Sequence, residues 1–269
     1  MAVRLRYHTD PACPASWALE PCLRRLQREF GAEVDITYVM GGLARDYPAD
    51  RAALVIEWLD AAARSGMPVD PRVLAGSGAI RSSYPACMAV KAAAEQGAEA
   101  AAGYLRALRE GIFCRARKLD APEALVEEAR AAGLDAERFR IDLGSNAIVE
   151  AFGADLEEAR AAPEEVRAHG LPSLHLVPVG QAGGEAWFAG ADGYERWREA
   201  AREAGARASG EPPPDVLGAL RRFGRMAAAE LEAVCELPGP RASAELWRLA
   251  ADWRVKQTRF LTGELWELA

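Results

Sequence analysis

Cys13-Pro14-Ala15-Ser16 sets one thiol at a strand-to-helix turn, with a hydroxyl where a second thiol would complete a redox pair. A thiol at a helix start faces unpaired backbone N–H groups and the positive end of the helix dipole. Both favour thiolate over thiol, which makes Cys13 a candidate nucleophile. Ser16 has two readings: it hydrogen-bonds the thiolate, or it caps the helix. The remaining thiols are less pointed. Cys22 falls on the apolar stripe of its helix, and Cys235 falls on a similar stripe with Leu231 and Val234, so both read as core. Cys114, between Phe113 and Arg115, gives no signal either way. Five cysteines at irregular spacing form no disulfide framework and suit a reducing compartment. The three histidines are far apart in sequence, so no metal site is expected. His8 precedes the turn and reads as a strand histidine satisfied by its neighbours. His169 and His175 flank Pro172, and alternation along a strand turns one of them to solvent.

The elements that position Cys13 follow from periodicity. Val3 to His8 alternates as a strand, Thr9-Asp10-Pro11 turns, and Pro14 suits the first turn of a helix running from about Ala15 to Phe30. Leu19, Cys22, Leu23, Leu26 and Phe30 give that helix one apolar face. Val34–Val39 alternates again and Gly41-Gly42 closes it, completing a right-handed βαβ unit. From about Pro48 to Ala162 the pattern is helical. Arg51–Ser65 forms a first helix, Pro85 opens a second, and Tyr104, Leu105, Leu108 and Ile112 stripe a third. Asp120-Ala121-Pro122-Glu123 has capping-box spacing, Asp135 caps the next helix, and Ser145 or Asn146 caps the last. Strand signals return at Ser173–Val177 and Ala186–Ala189, joined by a glycine-containing loop. A helix from about Gly193 buries Tyr194, Trp197 and Ala201.

The expected architecture is therefore α/β, a βαβ…ββα domain over residues 1–204 with a helical insertion at about 48–165. Residues 205–214, rich in Gly, Ser and Pro, form a linker, and 215–269 form a small C-terminal module. The chain has 269 residues, half of them hydrophobic, and no apolar run approaches the roughly 18 residues of a membrane span. No basic and apolar leader precedes the first strand, so the expectation is a cytoplasmic protein without membrane attachment. A net charge of −7 argues against nucleic acid as a partner. Arginine supplies 30 of the 33 basic residues, which reads as codon bias of a GC-rich genome before it reads as function.

Three separate pieces carry a family resemblance. They are Asp10 to Pro21 with the later Gly41-Gly42-Leu43, Ser82-Ser83-Tyr84-Pro85-Ala86-Cys87 running on to Ala93, and Gly170-Leu171-Pro172-Ser173. Together they resemble the DsbA-like branch of the thioredoxin superfamily, whose members carry a helical domain inserted into a thioredoxin fold. The first two pieces are most similar to a cytosolic subgroup that includes adaptors handing a redox-responsive transcription factor to the ClpXP protease. The resemblance implies a cis bond before Pro172, packing of Pro172 against Cys13, and a Leu171 backbone open to an extended chain or thiol ligand. It places catalysis on Cys13, Ser16 and Pro172, and substrate binding on Pro14, Trp17, Leu171, Ser82 and Ser83. The two serines could instead cap the helix before Pro85. Cys87, near the mouth of the implied site, is a candidate resolving thiol. Ser16 departs from the family pattern, because serine cannot resolve a mixed disulfide.

The C-terminal segment shows three helical patterns and a hairpin turned at Thr262-Gly263, and resembles a winged helix. Over residues 212–269 it carries eight basic and eight acidic residues, so phosphate binding lacks its driving force and protein contact is the expected role. Three functions compete. The first is a thiol-disulfide oxidoreductase working through Cys13 alone on protein or small-molecule thiols and disulfides, without a bound cofactor and with glutathione as a thiol co-substrate. The second is a non-enzymatic adaptor that binds a protein client through the thioredoxin-like surface and the C-terminal module. The third is a kappa-like glutathione-dependent transferase or isomerase, which requires a glutathione-sized pocket between Ser16, Leu171 and Ser82–Ser83.

Overall fold

A four-stranded sheet carries the N-terminal domain. In a computed structural model describing residues 2–75, 78–180 and 184–269, its order is β2-β1-β3-β4. Strand β1 (Val3–Thr9) lies centrally, parallel to β2 (Val34–Met40) and antiparallel to β3 (Ser173–Pro178). Strand β4 (Ala186–Ala189) completes the edge. Residues 181–183 of the expected glycine-containing loop lie outside the described residues. Alternation along β1 sends Val3, Leu5 and Tyr7 into one core, against Leu23, Leu26 and Phe30 on one side and Trp197 and Ala201 on another.

The helix expected at 15–30 is two helices, α1 (Pro14–Ala18) and α2 (Glu20–Phe30), parted at Leu19. Pro21 accounts for the break: it has no N–H for the Trp17 carbonyl and its ring crowds that carbonyl. The insertion supplies α3 (Ala52–Ser65), α4 (Tyr84–Ala94), α5 (Ala98–Arg109), α6 (Pro122–Ala131), α7 (Ala136–Leu143) and α8 (Asn146–Arg160). Helix α5 continues through a wider π-helical turn over Glu110–Cys114. Asp135 and Ser145 cap their helices as read. Asp120 does not cap α6. Ala121 occupies the cap position, and the Asp120 carboxylate accepts the Arg81 N–H at 2.7 Å instead. A short α9 (Glu164–Arg167) leads into β3, and α10 (Tyr194–Glu203) buries Tyr194, Trp197 and Ala201.

No regular element occurs between α10 and α11 (Val216–Phe223). The C-terminal segment then adds β5 (Met226–Ala227), α12 (Ala228–Cys235), α13 (Gly239–Ala251), β6 (Val255–Arg259) and β7 (Glu264–Leu268). Three helices and a hairpin are present, with Trp253 beyond the end of α13 and the first hairpin strand confined to Val255–Arg259. The two-residue strand β5 was not foreseen, and it makes a sheet of order β5-β7-β6. The module has its own core around Leu220, Leu231, Leu246 and Trp266, while Ala227 and Leu265 join the core of the insertion.

Helix α2 has a second occupied face. Opposite its apolar stripe, it turns Glu20, Arg24 and Arg28 toward α12. Buried Arg106 of α5 bonds Glu230 at 2.6 and 2.9 Å, Glu110 at 2.9 Å and Glu20 at 3.2 Å. Buried Arg109 also pairs with Glu20, and Arg225 reaches Glu110 and Glu267 at 3.2 Å each. Among these groups the N-terminal domain, the insertion and the C-terminal module are joined by matched charges. Arg106→Ala, which takes one cationic partner from three buried carboxylates, is expected to cost about 3–5 kcal/mol, read from the midpoint of chemical denaturation. Burial alone would raise the Glu20 pKa, but Arg109, Arg106 and Arg24 more than offset it and take it down to about 2. A carboxylate with a lowered folded-state pKa stabilises fully above its unfolded value. Its contribution, about 2–4 kcal/mol, is lost as pH falls from about 4.5 through about 2. Urea unfolding repeated across that range checks this, and Glu20→Gln is expected to flatten the acid limb.

Candidate active site

Asp10 builds the turn that presents Cys13. Its carboxylate accepts the Ala12 N–H at 2.7 Å and its carbonyl accepts the Cys13 N–H at 3.2 Å, an Asx turn closing the loop after β1. The other carboxylate oxygen takes the Leu43 N–H at 2.6 Å, the Ser83 hydroxyl at 2.7 Å and the Cys87 thiol at 3.2 Å. One buried side chain thus ties the end of β1 to the end of β2 and the start of α4. Burial raises its pKa, and the donors from Leu43, Ser83, Ala12 and Cys87 oppose that rise.

Cys13 is the N-cap of α1, and its sulfur accepts the Ser16 N–H at 3.4 Å. The thiol faces the Leu171 carbonyl at 3.6 Å, next to a cis Leu171–Pro172 bond. It is 2% exposed. Burial raises its pKa to about 11, against the pull of the Ser16 hydroxyl and N–H; Asp10 adds to the rise and Arg109 opposes it. The helix-start argument for a thiolate is therefore outweighed by desolvation. Of its two readings Ser16 keeps the first: it bonds the sulfur. It does not cap the helix, because Cys13 holds the cap position and Ser16 lies within the first turn, fully buried, with its hydroxyl accepting from Thr9 at 2.8 Å.

Around this centre the other residues singled out from the sequence take different places. Leu171 and Pro172 line a cleft of about 350 Å³ with Ala15, Leu19, Arg64 and His169. Pro14 lines a separate cleft of about 560 Å³ with Leu43, Tyr47 and Trp58. Trp17 lines neither cleft: it is buried, donates its indole N–H to the Pro68 carbonyl at 2.9 Å and stacks on Phe113. Ser83 spends its hydroxyl on Asp10, and Ser82 donates to the Ala44 carbonyl at 3.1 Å while accepting the Tyr84 N–H at 3.1 Å. Neither serine, nor Ser16, lines the cleft beside Leu171. Cys87 is buried with its thiol on Asp10, and burial followed by the Asp10 charge holds its pKa far up. All five cysteines are free. His8 is satisfied only in part: Nε2 pairs with Glu158 at 3.0 Å and the ring stacks on Trp187, whose other neighbour is the His175 ring, but its buried Nδ1 has no hydrogen-bond partner among the described residues. His169 is exposed.

Asp10, Thr9, Glu20 and Arg109 bear on the thiol without having been picked out as site residues. Arg109 offered a signal: at i+4 from Leu105 and i−3 from Ile112 it sits on the apolar stripe of α5, where a charge has to find a partner. Among the described residues no cluster of His, Cys, Asp and Glu is arranged to hold a metal ion. No helix among them is long and apolar enough to cross a membrane.

Comparison with known proteins places this geometry. The profile described as thioredoxin matches residues 7–185. The ClpXP adapter protein SpxH of Halalkalibacterium halodurans is 32% identical over 160 residues, covering 56% of this chain and about half (52%) of that protein. The SpxH of Bacillus subtilis is 26% identical over 264 residues, covering 96% of this chain and 86% of that one. Among solved structures, the cytosolic disulfide reductase DsbM from Pseudomonas aeruginosa superposes with a TM-score of 0.59 at 22% identity, over 73% of this chain and 95% of its own. That protein has also been solved with GSH. The chain belongs to the thioredoxin family and has the DsbA-like fold of a thioredoxin domain with a helical insertion.

Proposed function

We propose that the protein is a client-binding adaptor on a thioredoxin scaffold, whose Cys13 thiol can form a mixed disulfide but has no partner thiol at residue 16 to resolve it. The carrying observation is the pairing of Cys13, buried and with a raised pKa, with Ser16 three residues on. Fast turnover needs an exposed thiolate and a second thiol at hand. The SpxH relatives that match nearly the full chain support the same reading, since DsbM matches about three quarters of it. The cysteine inventory suits the cytosol, where thiols stay reduced.

The chemistry open to Cys13 is one-thiol exchange. Its thiolate attacks a disulfide, forming one S–S bond to one sulfur while the other leaves as a thiolate. An external thiolate then attacks the mixed disulfide, reforming the Cys13 thiolate and carrying the partner away as a new disulfide. Cys87, its proton held on the Asp10 carboxylate, is poorly prepared to do this from within. A glutathione-dependent transferase draws no support from the cleft, whose lining lacks Ser16, Ser82 and Ser83. The cleft beside Leu171 fits an extended chain: mostly apolar, with Arg64 and His169 at its rim.

Three measurements test this reading. Purified protein is expected to bind ClpX in a direct assay with an affinity unchanged by Cys13→Ser. Loss of binding in that variant, or multiple turnover of a disulfide substrate by the parent protein, overturns the adaptor. Under oxidised glutathione, intact mass is expected to show one persistent adduct on Cys13, while Ser16→Cys replaces it with an internal disulfide. Gly190 bounds the cleft where an added Cβ would lie 2.9 Å from the Pro172 ring and 3.0 Å from Leu19. Gly190→Ala is therefore expected to cost about 1–3 kcal/mol in thermal unfolding. Gly41→Ala is expected to cost less, since it meets only the flexible end of Leu171.

A further inference from the structure

A chain of buried donors runs from Arg109 of α5 to the Cys13 sulfur. Arg109 donates from Nη2 to the Thr9 hydroxyl oxygen. A guanidinium accepts nothing, so the single Thr9 proton goes elsewhere, and it goes to Ser16 Oγ at 2.8 Å. With that oxygen accepting, the Ser16 proton is left for the Cys13 sulfur, which also takes the Ser16 N–H at 3.4 Å. Thr9 and Ser16 are fully buried and Arg109 is 1% exposed, so no water competes at either hydroxyl.

The same arginine is balanced from the far side. Glu20 divides its charge among Arg109, Arg106 at 3.2 Å and Arg24 at 3.7 Å. Arg106 divides its own among Glu20, Glu110 and Glu230 of α12, the last bound through both oxygens. Four arginines (24, 106, 109, 225) face four glutamates (20, 110, 230, 267) here. A charge removed at the module end redistributes Glu20 between its two main partners. The other groups facing the thiol are Asp10 on its own turn, Tyr7 of β1 and Tyr47 beyond β2.

We infer that Thr9, held by Arg109, is a positioning residue that aims the Ser16 proton at Cys13, and that Glu230 of the C-terminal module sets the strength of that bond through Arg106 and Glu20. A partner that lifts α12 off Arg106 would draw Glu20 toward Arg106 and leave Arg109 more strongly cationic behind the relay. The thiolate would be favoured. This rests on the reading of Cys13 as the functional thiol, and deepens it into a coupling between client contact and thiol reactivity.

The test is iodoacetamide alkylation of the full chain as a function of pH, with the Cys13 peptide followed by mass spectrometry. Thr9→Val keeps shape and loses the hydroxyl. Its profile is expected to move to higher pH, with a rate about three- to ten-fold lower at any pH below the midpoint, and Thr9→Ser is expected to restore it. Glu230→Gln is expected to speed alkylation about two- to five-fold, and Arg225→Gln, which removes a positive charge from the same network, to slow it. Circular dichroism confirms folding, and if Glu230→Gln fails to fold, Arg225→Gln decides the module end. A Thr9→Val profile matching the parent overturns the relay. A folded Glu230→Gln protein that reacts no faster, or an Arg225→Gln protein that reacts no slower, overturns the coupling. If the profiles shift as stated but Cys13 forms no adduct with any disulfide, the functional reading fails and the relay stands.

Discussion

Glu20 held between Arg109 and Arg106 is the contact on which the rest of the molecule turns. A charge buried this deeply is costly unless matched at close range, so each partner's position is dictated by the others. Arg109 fixes the carboxylate against the N-terminal sheet, since the same guanidinium reaches Thr9 at the end of β1. Arg106 fixes it against the insertion and α12. A purely apolar junction of the same area could slide; this one has a single register. Its value is less in stability than in specifying how three units meet.

That junction lies beneath the thiol, and it changes what a helix-start cysteine means here. The helix dipole is a sum over aligned peptides, and Pro21 stops the sum after five residues in α1. What remains is local: the Ser16 N–H on the sulfur with the Ser16 hydroxyl beside it, set against the loss of water around a nearly inaccessible sulfur. Desolvation wins in the resting molecule. The Leu171 carbonyl, next to the cis bond to Pro172, lies 3.6 Å from the same sulfur and accepts from it.

Much of this was legible in the residues. Strand alternation in β1 and β2, the proline-led helix and the Gly-Leu-Pro-Ser turn each have a local cause, and each stands where its cause puts it. The βαβ unit follows from connection length and handedness. The break at Leu19 was also legible, because Pro21 states it. The charge network was not, because whether a glutamate on an amphipathic helix faces water or another helix depends on which element covers it, and α12 comes more than 200 residues after Glu20. Asp10 was hidden for a different reason. It looked like a turn residue and is one, but its second oxygen serves Leu43, Ser83 and Cys87, contacts that exist only after the insertion has folded back. Strand β5 is two residues long and takes its identity from β7, with no period of its own to read.

The segment between α10 and α11 has a mechanical consequence. Ala204 and Ala206 are buried in the N-terminal core, and the Ser209 N–H is held by the Glu29 carbonyl at 2.8 Å. Only residues 210–214 remain before Asp215 caps α11. Five residues span at most about 17 Å when fully extended. The C-terminal module is therefore on a leash too short to leave the neighbourhood of α2. Were its contacts to open, it would stay at millimolar-range local concentration and reseat at once when a competitor departs. Displacement would be brief and reversible, a timer set by chain length.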